Sequence, residues 1–131
     1  LYLIGHSLGG AVTQIAALDI ALTYPERADH MQVYTYAAPR TGDPIFVSVY
    51  DRVVETSYRI VNVCDVVPYV PFEALGEYMS MEPYPYGVTK GEMAYVHQVG
   101  NPIANHVSSY HVAMRDQVPG KMDVSQPRRM R

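Results

Sequence analysis

The sequence has little cysteine, little excess charge and no long apolar run. Cys64 is the only cysteine among the 131 residues, which excludes a disulfide within the chain and leaves the cellular location open. No run of about 18 or more apolar residues occurs, so the sequence predicts no membrane-spanning helix. With a formal net charge of −3, we expect no nucleic-acid partner. Hydrophobic residues make up 48% and charged residues 18%, which is ordinary for a globular domain with one core.

A Gly-x-Ser-x-Gly pattern at residues 5–9 follows directly on the apolar run of residues 1–4. A strand, a tight turn and a helix form the setting in which this pattern exposes a nucleophilic serine above a sheet edge. We interpret Gly5 and Gly9 as required because larger side chains would clash where strand and helix converge. The pattern therefore predicts that Ser7 is the nucleophile of an α/β-hydrolase. A glycine-rich turn with an inert serine is the alternative.

The first half of the chain alternates apolar runs with helical patterns. We predict a strand, a helix, a strand, a helix and a strand over residues 1–4, 11–22, 31–36, 44–54 and 57–63. The first strand is continuously apolar, so we expect it to be buried on both faces. Asp43 is the expected cap of the second helix, with Pro44 in its first turn. This order predicts an α/β fold with a parallel sheet.

After residue 65 the pattern is less regular. We predict a fourth strand over residues 93–99 and a last helix over 106–114, with Asn105 as its cap. Residues 69–86 are rich in tyrosine and proline, and they are either the lining of an acyl or aromatic pocket or a packed surface loop.

The ends of the chain suggest that it is part of a longer protein. Leu1 lies inside a predicted strand, so we expect further residues, and any leader peptide, upstream. We predict a partial domain over residues 1–116 that lacks its first strands. Residues 117–131 are expected to form a polar, solvated tail.

A serine nucleophile needs a base and a carboxylate that orients the base. In this fold the acid follows the serine in the chain, and chemistry occurs beyond the carboxyl ends of the strands. Asp65 follows directly on a predicted strand and has apolar neighbours, so we predict that it is the acid; a turn aspartate is the alternative. Other acids lie in helices, at a cap or at the opposite sheet edge: Asp19, Asp29, Asp43, Asp51 and Glu55.

The base must be a histidine further along the chain. His6 adjoins the serine and is expected to point elsewhere, and His30 lies at the opposite sheet edge. His97 lies in a predicted strand, which favours a structural role. His106 opens the predicted last helix, whereas His111 is rotated from it by about 140° on a helix of 3.6 residues per turn. Spacing therefore favours His106 as the base and leaves His111 as the alternative.

Four segments match one family in the family's own order, namely residues 5–11, 33–46, 58–71 and 105–110. Through them the sequence resembles the class 3 lipases, a family of fungal-type triacylglycerol lipases and feruloyl esterases. The resemblance implies the C-terminal portion of an α/β-hydrolase fold, with a mostly parallel sheet and flanking helices. It places the family's nucleophile on Ser7, its acid on Asp65 and its base on His106, and it implies no metal or cofactor.

The same resemblance implies a function. We expect hydrolysis of carboxylic esters, with triacylglycerols or shorter acyl esters as substrates and transient contact with a lipid surface. A thioesterase, a peptidase or a feruloyl esterase on the same triad is an alternative, because fold and triad do not separate these chemistries. A non-catalytic lipase-like scaffold is the alternative from another class.

The backbone N–H of Leu8, next after the nucleophile, is expected to be one donor to the oxyanion. The family's first strands, its lid and the second donor precede the nucleophile strand. Loss of one such donor costs about 10²–10³ in turnover, and missing strands leave an apolar sheet edge unpaired. We therefore predict that the 131 residues alone are poorly folded and nearly inactive, and that a longer parent protein is active.

Overall fold

The computed structural model describes residues 1–71 and 91–115, and its centre is a parallel four-stranded sheet. The strands lie side by side in chain order: β1 (Tyr2–His6), β2 (Gln32–Tyr36), β3 (Thr56–Asn62) and β4 (Glu92–Tyr95). The helices are α1 (Leu8–Thr23), α2 (Pro25–Ala28), α3 (Pro44–Val53), α4 (Pro102–His106) and α5 (Ser108–Arg115), with a 3-10 turn at Val67–Tyr69. The predicted alternation of strands and helices and the parallel sheet are confirmed.

Helices cover both faces of this sheet. On one face, small residues of α1 let the helix approach β2 and α3 closely, and the core there consists of Ala17, Ala21, Met31, Val33, Tyr50 and Val54. On the other face, Tyr110 of α5 packs with Ala37 and Ile60. Two packed layers therefore hold the carboxyl ends of the strands in place, and those ends carry the polar residues described below.

Burial differs sharply between the first and third strands. In β1, Tyr2 and Ile4 are 67% and 66% exposed, so the prediction that this strand is buried on both faces is wrong. Among the described strands β1 pairs only with β2, and the described residues leave the side chains of Tyr2 and Ile4 uncovered. β3 lies between two partners and buries four consecutive residues from Arg59 onwards, as an inner parallel strand does.

Helix ends follow capping chemistry, but not always at the predicted residue. The Asp43 side chain accepts a hydrogen bond from the backbone N–H of Phe46 at 2.7 Å, which confirms the predicted cap. At the other end of the chain, Asn101 caps α4 by accepting from Ala104 N at 2.8 Å. The prediction of Asn105 as a cap is wrong, because that residue lies inside α4 and is buried. His106 therefore ends a short helix rather than opening a longer one.

Two predictions fall outside the described residues, in part or whole. The predicted tail at 117–131 lies entirely outside the described residues. So do residues 72–86 of the tyrosine- and proline-rich segment 69–86. Within residues 1–71 and 91–115, no helix has the length and apolar character needed to cross a bilayer.

Candidate active site

Ser7 occupies a strained turn between β1 and α1. Its backbone has φ 57° and ψ −132°, a conformation that residues other than glycine rarely adopt. Such a residue costs on the order of 1–3 kcal/mol, and the surrounding structure must impose it. Here the Ser7 N–H donates to Tyr36 O at the end of β2, and the Ser7 carbonyl accepts from Gly10 N, both at 2.9 Å. The hydroxyl is thereby held at the carboxyl edge of the sheet.

The glycines around this turn differ in their importance. A Cβ on Gly5 would collide with the Gly9 carbonyl oxygen and with Thr13 Oγ1, and a Cβ on Gly10 would collide with Ala38. These contacts explain why strand, turn and helix can converge there. A Cβ on Gly9, in contrast, would meet no atom of the described structure within 4 Å. The predicted clash is therefore confirmed for Gly5 and wrong for Gly9.

Three side chains from distant parts of the chain form one hydrogen-bonded line. The distance from His106 Nε2 to Ser7 Oγ is 2.7 Å, and that from His106 Nδ1 to Asp65 Oδ2 is 2.8 Å. A carboxylate only accepts hydrogen bonds, so Nδ1 carries a proton and the lone pair of Nε2 faces the serine hydroxyl. This arrangement allows the imidazole to take a proton from Ser7.

Asp65 is fully enclosed, and three donors replace the water that it has lost. Its Oδ2 accepts from His106 and, at 3.0 Å, from the hydroxyl of Tyr110; its Oδ1 accepts from Val67 N at 3.0 Å. The Asp65 side chain has no exposed surface, whereas that of His106 is 18% exposed. The acid is therefore shielded while the imidazole remains accessible from outside.

Tyr110 connects the acid to the centre of the sheet. Its hydroxyl donates to Asp65 and accepts from Asn62 N at 2.8 Å. Burial raises the pKa of Tyr110, and the neighbouring Asp65 carboxylate raises it further. The phenol consequently remains protonated, as a donor to a carboxylate must be.

Two buried asparagines join the loops that carry the acid and the base. The Asn62 amide donates to His97 O at 2.9 Å, and its Oδ1 accepts from His97 N at 3.0 Å. The Asn105 amide donates to Cys64 O at 3.1 Å and to Gln98 at 2.8 Å. The Asn62 side chain also accepts from Cys64 N at 3.2 Å and donates to Asn105 O at 3.3 Å, so each amide holds main-chain groups next to Asp65 or His106.

His6 lies beside the imidazole of His106. Its Nε2 is 2.9 Å from the His106 carbonyl oxygen, and the two rings have centroids 4.9 Å apart. The expectation that His6 points away from this region is wrong. The side chain of the alternative base, His111, lines a neighbouring cavity instead, and His97 follows β4 rather than lying in it.

That cavity has a volume of about 340 Å³ and mostly apolar walls. Its lining residues are His6, Tyr36, Val107, Tyr110, His111 and Met114. A second cavity, of about 370 Å³, lies near the loop after the acid and is lined in part by Tyr69. Both cavities adjoin loops at the carboxyl edge of the sheet, where open parallel sheets bind ligands.

Leu8 is the first residue of α1 and follows Ser7 directly. A helix leaves its first four N–H groups without acceptors inside the helix, so these groups favour negative charge nearby. The backbone N–H of Leu8 therefore lies beside Ser7, where it can donate to the oxyanion that forms on a carbonyl group attacked by the serine.

Sequence reasoning missed three residues that contact the line of Ser7, His106 and Asp65. Tyr110 lies four residues after His106, and that spacing on a helical stretch could have indicated it. His6 could have been found from its position beside the serine. Asn62 had little local signal, because three partners of its side chain, namely His97, Asn105 and Ser109, are 35 to 47 residues away in the chain.

Comparisons with known proteins find relatives of this chain among lipases. Residues 1–75 match the family described as Lipase (class 3). A lipase of Caenorhabditis elegans is 31% identical over 127 residues, which cover 97% of this chain and 33% of that protein. A secreted mono- and diacylglycerol lipase of Malassezia globosa is 42% identical over 74 residues, covering 56% of this chain and 24% of that protein.

The solved structure of another lipase is similar to this chain in three dimensions. The lipase of Rhizomucor miehei, in complex with its propeptide, superposes with a TM-score of 0.53 at 35% identity, covering 56% of this chain and 24% of that one. The chain thus spans between a quarter and a third of the length of these relatives. Sheet, helices and relatives agree on an α/β-hydrolase fold, and the chain belongs to the class 3 lipase family.

Proposed function

We propose that this chain carries the nucleophile, base and acid of a serine hydrolase that cleaves carboxylic esters of lipids. The observation that supports it best is the line of two short hydrogen bonds from Ser7 through His106 to Asp65. In this proposal Ser7 is the nucleophile and His106 the general base. Asp65 keeps the imidazole in the tautomer that can accept the serine proton.

The reaction proceeds in two acyl-transfer steps. His106 Nε2 takes the hydroxyl proton as Ser7 Oγ attacks the ester carbonyl, and the oxyanion accepts a hydrogen bond from Leu8 N–H. The imidazolium then gives its proton to the departing alcohol. Water attacks the acyl-enzyme with His106 again as the base, which releases the acid and restores Ser7. We expect the second oxyanion donor to come from residues that precede Leu1.

The surroundings of these three residues favour a lipid substrate. The residues that follow Ser7, Asp65 and His106 in the chain are all apolar and exposed: Leu8 (72%), Val66 (52%) and Val107 (53%). Ile103, one turn before the base, is 78% exposed. Each of these four residues lies within three positions of Ser7, Asp65 or His106 in the chain, and we infer that they form an apolar surface beside the site, of the kind that binds other molecules. They support acyl chains as substrates and contact with a lipid surface.

Acylglycerols are the substrate class that we propose. The Malassezia globosa relative is described as a mono- and diacylglycerol lipase, and the Rhizomucor miehei relative as a lipase. The residues named above supply every proton transfer in the two steps, so the mechanism assigns no role to a metal or cofactor.

A comparison of leaving groups tests the proposal. The full-length protein that carries these residues would be given an acylglycerol, a matched thioester and a matched amide. We expect ester cleavage at the highest kcat/KM. Ser7→Ala should abolish it, while Ser48→Ala, at an exposed position in α3, should not change it. Folded protein that cleaves none of the three would contradict the proposal, and preferred cleavage of the thioester would favour a thioesterase.

A further inference from the structure

We propose that His6 is a positioning residue that holds the catalytic base in place through the main chain. The inference rests on the proposed function, because it concerns how His106 is kept in line with Ser7. His6 takes no part in the proton transfers of the proposed reaction. It acts on the backbone of the residue that does.

The chemistry of the contact identifies the donor. The His6 Nε2 lies 2.9 Å from the carbonyl oxygen of His106. A carbonyl oxygen only accepts hydrogen bonds, so the Nε2 of His6 carries the proton. His106 is the last residue of α4, and the last carbonyls of a helix have no partner inside the helix. His6 therefore supplies the donor that this helix end lacks.

The ring of His6 also packs against the groups that operate the base. Its centroid is 4.9 Å from that of His106 with the planes inclined by 42°. It meets the ring of Tyr110 edge to face at 5.8 Å, and Tyr110 donates to the buried Asp65. The ring thus contacts the base and the residue that holds the acid.

The contact between His6 and His106 joins two elements that lie far apart in the chain. His6 is the last residue of β1 and the neighbour of Ser7, whereas His106 lies 100 residues further on. The hydrogen bond therefore ties the strand that presents the nucleophile to the helix that presents the base. A displacement of about 1 Å between reacting groups costs on the order of 100-fold in rate. We expect loss of the His6 donor to lower kcat by about 10- to 100-fold with little change in KM.

Two amide variants of the full-length protein separate the donor from other effects of the side chain. In His6→Gln the amide nitrogen reaches the place of Nε2, whereas in His6→Asn it is one methylene too short. Both side chains are uncharged amides on an exposed strand end, so they differ mainly in reach. We expect His6→Gln to keep kcat within about threefold and His6→Asn to lose about 10- to 100-fold, with KM similar in both. His30→Asn, at an exposed histidine outside the site, is the control and should keep its kcat.

The outcomes distinguish this inference from the proposed function. Equal kcat in the two amide variants, whether high or low, would overturn the role of His6, and so would a loss confined to KM. Ester cleavage that survives Ser7→Ala would overturn the proposed function and the inference together. Cleavage that requires Ser7 and is rescued by Gln alone supports both.

Discussion

Asp65→Asn exchanges one oxygen of the buried carboxylate for an amide nitrogen without a change in shape. In the native site all three partners of Asp65 are donors, from His106, Tyr110 and Val67. An asparagine has only one acceptor oxygen. If that oxygen faces Val67, the amide N–H groups face His106 and force its proton onto Nε2, so the ring can no longer accept the serine proton. If the oxygen faces His106, the amide nitrogen opposes the N–H of Val67.

Both orientations are costly. Each leaves a buried donor without an acceptor, which costs about 1–3 kcal/mol of stability. Loss of the correct tautomer through the same Asp→Asn change lowers turnover by about 10⁴-fold in a serine protease with this triad, equivalent to about 5 kcal/mol of transition-state stabilisation. We expect kcat for a soluble nitrophenyl ester to fall by about that factor in the full-length protein.

Asp19→Asn is the matched control, because Asp19 is an exposed acid of α1. It should leave kcat unchanged, and thermal unfolding should show that both variants are folded. A folded Asp65→Asn protein within tenfold of the native kcat would refute the assignment of Asp65 as the acid.

Four other substitutions give distinct results. Tyr110→Phe leaves a buried backbone N–H without its acceptor, so the free energy of unfolding in urea should fall by about 1–3 kcal/mol. Gly5→Ala should destabilise by about 1–3 kcal/mol through its clash, whereas Gly9→Ala should be neutral or stabilise α1 by up to about 1 kcal/mol; equal unfolding midpoints would contradict this. Burial raises the pKa of Tyr50 from 10.0 to about 12. The stability from this raised pKa is present below pH 10 and is lost as pH rises towards 12, so Tyr50→Phe should flatten the decline measured between pH 9 and 11.

Much of the fold follows from local patterns in the sequence. Apolar runs and helical stretches alternate, and such alternation leaves few topologies other than a parallel sheet. That topology brings the ends of β1 and β3 to one edge, which is why Ser7 and Asp65 could be paired before any distance was known. The two histidines His106 and His111 could not be separated by spacing alone, and the resemblance to a family was needed.

The errors have physical causes. Both Asn101 and Asn105 precede a helical stretch, but only Asn101 is followed by proline at the first helical position, a stronger start signal. The apolar sequence of β1 predicts more burial than the structure has, because the apolar character of a strand does not reveal what covers it. The contact of His6 with His106 spans 100 residues, so the local sequence shows that His6 adjoins Ser7 but not that it reaches His106.

Covalent labelling of the full-length protein with a fluorophosphonate tests whether Ser7 is an activated nucleophile, because the probe reacts with an activated serine whatever the natural substrate. Mass spectrometry of the digested protein locates the modified residue. We expect one adduct on Ser7, absent from Ser7→Ala and retained in Ser48→Ala. Folded protein that carries no adduct on Ser7 would contradict it and would favour a lipase-like protein without catalytic activity.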